Sequence, residues 1–170
     1  MGSHRIVAGA DGTRDCEDAL LWAAEQAVGS RGRLLIVHAW EPRLAHRAPY
    51  ARQPANDGPA HGRVSGDAAL DRALTLVGDR FPGIRVEGRV VRGRPESVLA
   101  EQARGADLLV LGSAAQLAGD GRLGSVVLSC LRRPPCPVVV VPPTGPGARR
   151  PAATELAAAE PPAAELAEAR

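Results

Sequence analysis

The sequence contains no lysine: all 21 of its basic residues are arginine, set against 19 acidic residues for a net charge of +2. That absence excludes a Walker A phosphate loop, a Schiff-base lysine and the strand lysine of protein kinases. Aromatic residues make up only 2% of the chain (Trp22, Trp40, Tyr50 and Phe81), so Val, Leu and Ala must fill any core. Such a composition suits parallel strands covered by Ala-rich helices. The three cysteines, Cys16, Cys130 and Cys136, form no CxxC pair, which argues against a disulfide framework and a zinc knuckle alike. The arginines are spread along the chain without a basic run or interleaved aromatics, so no nucleic-acid footprint is expected. With no signal peptide and no apolar run of membrane-spanning length, neither secretion nor membrane insertion is expected, and the cytoplasm is the natural compartment.

What is present is a regular alternation of strand and helix. Arg5 to Ala10 (RIVAGA) is a short apolar run closed by the turn residues Asp11-Gly12-Thr13. The pattern predicts a first helix from Asp15 to Gly29, with Leu20, Ala23, Ala24 and Ala27 on one face. Arg33 to Trp40 reads as a strand buried on both sides. Glu41 to Gly66 breaks the rhythm and is expected to be a long mobile loop. A second helix is predicted over Asp67–Arg80, a third strand over Arg85–Val91 and a third helix over Pro95–Arg104, with Pro95 in its first turn. Asp107–Leu111 and Val138–Val141 are the last two strands, and Ser125–Arg132 is the helix between them. Five strands separated by four helices imply an α/β fold with one doubly wound parallel sheet and helices on both faces. Residues 1–142 form this domain, and 143–170, rich in Ala, Pro and Glu, read as a disordered tail.

The segment Leu108 to Val141 concentrates the chemistry. It runs from an apolar strand through a glycine-rich loop into a helix start, where unpaired backbone N–H groups and the helix dipole favour an anion. Gly119, Gly121 and Gly124 spell GxGxxG, yet six residues separate Gly112 from Gly119 and no acid follows Gly124 until Glu155. A dinucleotide site needs its glycines directly after the strand and an acid about 20 residues later, so this spelling is incidental. In an open parallel sheet ligands collect where the strand order reverses, which predicts Asp11 and Gly112 facing each other across one crevice.

Strand one with its Ala10-Asp11-Gly12-Thr13 end, the segment ALLWAAEQA, and the ending GS...GSVVLSCLRRPPCPVVVV resemble the universal stress protein family from Arg5 to about Pro142. The resemblance implies a Rossmann-like five-stranded sheet that dimerises through its last strand, Val138 to Val141. Nucleotide-binding members carry G-x2-G-x9-G-[ST] around the phosphates. Carried over by position, Gly112 is the first motif glycine, Gly124 the last and Ser125 the hydroxyl that meets a terminal phosphate. Asp11 lies by the adenosine and Ala39 at the adenine-reading end of strand two. Ala10, Leu111, Ser113, Ala115 and Val126 flank these positions and complete the candidate set. The ligand implied is ATP or AMP, with or without Mg2+.

Two departures keep a second reading open, that of the same fold without nucleotide, working as a protein-interaction module. Ala115 stands where the motif has its second glycine, and the loop to Gly124 is one residue short. The added methyl disfavours positive φ and close phosphate approach. Asp120 adds a negative charge, which Arg122 offsets. No Ser-His-Asp arrangement, metal cluster or carboxylate pair stands out, so no enzyme is expected beyond slow ATP hydrolysis. His38 reads as a satisfied core histidine, and Cys130 and Cys136 as packing residues.

Overall fold

The computed structural model describes residues 4–13, 16–41, 59–113 and 123–143, without side chains for 59–62 and 64. Its five strands are β1 (Arg5–Gly9), β2 (Arg33–Trp40), β3 (Val86–Arg92), β4 (Leu108–Gly112) and β5 (Val138–Val141). The helices are α1 (Glu17–Gly29), α2 (Pro59–Arg80), α3 (Pro95–Gln102) and α4 (Ser125–Arg132). All strand pairs are parallel, in the order β3-β2-β1-β4-β5. The expected doubly wound sheet is therefore present, with its reversal between β1 and β4.

The central strands are apolar because both of their faces are covered. Ile6, Ala8, Leu34 and Ile36 pack under α1 and α2, while Val7, Leu35, Val37, Leu109 and Leu111 pack under α3 and α4. The helices approach closely because their inward faces are small: Ala19, Ala23, Ala24 and Ala27 of α1 are all essentially buried. β3 lies at an edge, and its charged residues Glu87 and Arg89 are exposed and ion-paired to each other. Charged side chains there blunt further strand pairing.

The largest departure from expectation is α2, which begins at Pro59, eight residues before the predicted start at Asp67. Residues 59–66 are thus helix where a mobile loop was expected; the rest of that loop, 42–58, lies outside the described residues. Gly66 looked like a break in the pattern, but it is buried and sits directly on the His38 ring, where a Cβ would come within 2.8 Å. α3 ends two residues earlier than expected, β1 ends one residue earlier, and β3 and β4 each lie one residue further along the chain at both ends.

Candidate functional site

A parallel sheet with right-handed crossovers sends every helix back from the carboxyl to the amino ends of the strands, so helix N-termini gather at the carboxyl pole. Three of them surround a cavity of about 270 Å3 there: Cys16 at the α1 N-cap, Pro95 opening α3, and Gly124–Val127 opening α4. Its floor is Gly9, Val37, Ala39, Leu99 and Leu111. An apolar wall with a few polar groups is what an aromatic heterocycle with a polar tail requires.

The three helix starts are not equivalent. α1 carries Glu17 and Asp18 in its first turn and α3 carries Glu96, whereas the first turn of α4 holds no acid. Gly124 caps α4 without a side-chain hydrogen bond, and the helical ladder starts with Leu128 N donating to Gly124 O at 3.0 Å. The amides of Ser125, Val126 and Val127 therefore have no protein acceptor among the described residues. A dipole worth about half a positive charge reinforces them, so this one helix start favours an anion. Gly124 has φ −59° and ψ 153°, a conformation open to any residue, and a Cβ placed there meets nothing within 4 Å among the described residues. The space in front of it is cavity.

Opposite, Ala10 carries the chain past the end of β1 and is fixed to β2 through both of its backbone groups. Its N–H donates to Val37 O at 2.9 Å, and its carbonyl accepts from His38 Nδ1 at 2.8 Å. His38 takes over where the strand ladder stops, so the expectation of a satisfied histidine holds, although it is half-buried. The neighbouring Asp11 is exposed, and its Oδ1 accepts from Thr13 N at 2.8 Å and Thr13 Oγ1 at 2.6 Å. This turn places a carboxylate at the rim of the cavity, an acceptor suited to sugar hydroxyls.

Of the positions singled out in the sequence, Ala10, Asp11, Ala39, Leu111, Gly112, Gly124, Ser125 and Val126 all line the cavity. Ser113 does not: it is buried, and its amide donates to Val141 O at 2.9 Å, tying β4 to β5. Ala115, Asp120 and Arg122, with the glycines 119 and 121, lie outside the described residues. Sequence reasoning missed Cys16, Pro95 and Val127. The signal for all three was available, since each opens or nearly opens a helix whose start must face the carboxyl pole. Cys16 Sγ donates to Thr13 O at 3.0 Å, and burial, with Asp11 nearby, pushes the thiol above its ordinary pKa. It is therefore a poor nucleophile. No group of three metal-ligating side chains occurs among the described residues.

The profile of the universal stress protein family matches residues 2–142. The chain belongs to this family. A universal stress protein of Mycobacterium tuberculosis (strain ATCC 25618 / H37Rv) is 30% identical over 142 residues, covering 84% of this chain and 50% of that protein. The chain thus spans about half the length of the curated relatives it matches. Among solved structures, a universal stress protein in complex with cAMP is 28% identical with TM-score 0.62, covering 83% of this chain and 98% of that one. The Archaeoglobus fulgidus universal stress protein in complex with dAMP shares the fold at 20% identity and TM-score 0.58, over 82% of this chain and 97% of that one. The sequence-level resemblance to the family and the Rossmann-like fold are both shown. No helix among the described residues is long and apolar enough to cross a membrane.

Proposed function

We propose that this universal stress protein binds an adenine mononucleotide, AMP, ATP or cAMP, in the carboxyl-pole cavity and acts through protein partners rather than by turnover. The observation that carries the reading is the uncapped, acid-free start of α4 facing Asp11 across an apolar cavity. The base rests against Ala39, Val37 and Leu111, the ribose hydroxyls meet Asp11, and the phosphates meet Gly112, Gly124, the 125–127 amides and the Ser125 hydroxyl. About 270 Å3 lies just under the roughly 300–1,000 Å3 usual for small-molecule sites, which suits one nucleotide and not a dinucleotide. The cAMP-bound relative supports the class of ligand. Mg2+, if it accompanies ATP, is held by the phosphates, because the described lining of the cavity offers one carboxylate, Asp11.

The test is Gly124→Val. A Cβ with two methyl groups enters the cavity without backbone strain, so the affinity falls at least ~10-fold, worth about 1.4 kcal/mol, while the melting temperature stays within about 2 °C. Retained affinity would refute this placement of the phosphates. The nucleotide-free reading is favoured by Ala115, and under it the wild type and the variant are equally inert toward nucleotides.

The remaining parts of the reading are a cytoplasmic stress-response role, a domain over 1–142 with 143–170 appended, and a dimer through β5. β5 is an open edge, and Leu128 and Leu131 of the neighbouring α4 are 39% and 40% exposed. Together they give an apolar border that a second copy covers.

A further inference from the structure

The net charge of +2 conceals a polarised molecule, and we propose that the amino pole of the sheet, opposite the cavity, is a docking surface for an acidic peptide segment of a protein partner. Every chain segment entering a strand at this pole brings arginine. Arg5 of β1 is in register with Arg33 of β2, and the pairing of Leu34 with Val86 sets Arg33 beside Arg85. Three arginines on neighbouring strands thus stand at one level, roughly 4.8 Å apart. Like charges placed directly opposite on adjacent strands destabilise a sheet unless something intervenes.

Arg5 is relieved, because its guanidinium donates to the carbonyls of Gln102 and Arg104 at 2.8 and 3.2 Å, capping α3. Arg33 and Arg85 are exposed, with no ion-pair partner among the described residues. Arg104, Arg132 and Arg133, equally exposed and unpaired, continue the row to the β5 side. Adding Arg31 and Arg80, the pole holds eight arginines against Asp79, Glu101 and Asp107. Asp107 is already engaged by Arg5 N at 2.7 Å and by His4 at 3.6 Å. The rest of the described chain reverses this balance, with five arginines against nine acids.

Helix C-termini converge at this pole and account for part of the arrangement. Four macrodipoles contribute roughly −2 charges in all, at about −0.5 each, which leaves a clear positive surplus. Guanidinium groups match carboxylates in paired hydrogen bonds, so glutamate- or aspartate-rich peptide is the fitting chemistry. Nucleic acid is disfavoured because Phe81, the aromatic residue at this pole among those described, is half-buried in the core and offers no stacking platform. Five strand ends span roughly 20 Å, the length of about six extended residues.

The test titrates the full chain into fluorescein-labelled hexaglutamate and follows anisotropy at low and high salt. The expected result is salt-sensitive binding weakened at least ~10-fold by Arg33→Ser, Arg85→Ser, Arg132→Ser and Arg133→Ser together. The same number of changes elsewhere, Arg63→Ser, Arg72→Ser, Arg92→Ser and Arg94→Ser, leaves it within about 2-fold. If the fourfold variant does not fold, Arg33→Ser with Arg85→Ser serves, with a proportionate loss expected. Absence of wild-type binding, equal losses in both variant sets, or tighter binding of a single-stranded DNA hexamer than of hexaglutamate would overturn the proposal.

Discussion

His38 and Asp11 are two links of one chain that runs from the packed helix α2 to the cavity. The His38 ring donates to the buried Ala10 carbonyl, and Ala10 holds Asp11 in place. His38→Phe keeps the ring volume and removes the donor, leaving a buried carbonyl unsatisfied at a cost of about 1–3 kcal/mol. Amide exchange at Asp11–Thr13 rises with it, and nucleotide affinity falls several-fold. Unchanged exchange there would show that the histidine merely fills space. The thiols make a separate prediction. Burial raises the pKa of Cys16, Cys130 and Cys136, with Asp11, Glu96 and Asp107 respectively adding to the effect. The unfolded chain then loses these protons first, so stability is fully present below the usual thiol pKa of 9.0 and is lost as pH rises above it. Melting temperature followed from pH 7 upward shows the decline, and Cys16→Ala makes it shallower.

At the scale of elements, two glycines of α2 give opposite outcomes for the same substitution. Alanine favours a helix over glycine by about 1 kcal/mol. At Gly78 a Cβ meets nothing within 4 Å, so Gly78→Ala stabilises by up to that amount. At Gly66 it meets His38 Cδ2 at 2.8 Å and Val90 Cγ1 at 3.2 Å, and His38 is pinned by Ala10. Gly66→Ala therefore destabilises by about 1–3 kcal/mol despite the better propensity, and urea denaturation of the two variants decides the matter. This is also why α2 starts earlier than its sequence pattern predicts. The strands and α1, α3 and α4 were legible because their apolar periods and caps are local signals. The first two turns of α2 have no such pattern; they are stabilised by a glycine meeting a histidine from β2, a contact between distant parts of the chain. The candidate site was legible for a related reason. Gly112, Gly124 and Ser125 mark strand-end and helix-start positions that topology alone brings together with Asp11. Cys16 and Pro95 belonged to the same geometry but carried no motif.

For the molecule as a whole, β5 is the open edge. Leu109 N donates to Pro137 O and Ser113 N to Val141 O, both at 2.9 Å, so the odd-numbered residues of this segment face β4. By alternation Val138 and Val140 turn their backbone groups outward. Val140→Pro removes one outward donor without touching the bonds to β4. Light scattering is expected to give a dimer for the wild type and a monomer for the variant; a monomeric wild type, or a variant that still dimerises, would remove β5 as the interface. The two poles divide the surface between them. The carboxyl pole offers helix N-termini to an anionic small molecule, and the amino pole offers arginine to an acidic partner, about one strand length away. Isothermal titration of the full chain, freed of co-purified nucleotide, with AMP, ATP and cAMP tests the central claim most directly. Saturable one-to-one binding of at least one of them, competed by the others, is the predicted result; absence of heat up to millimolar concentrations of all three would contradict it.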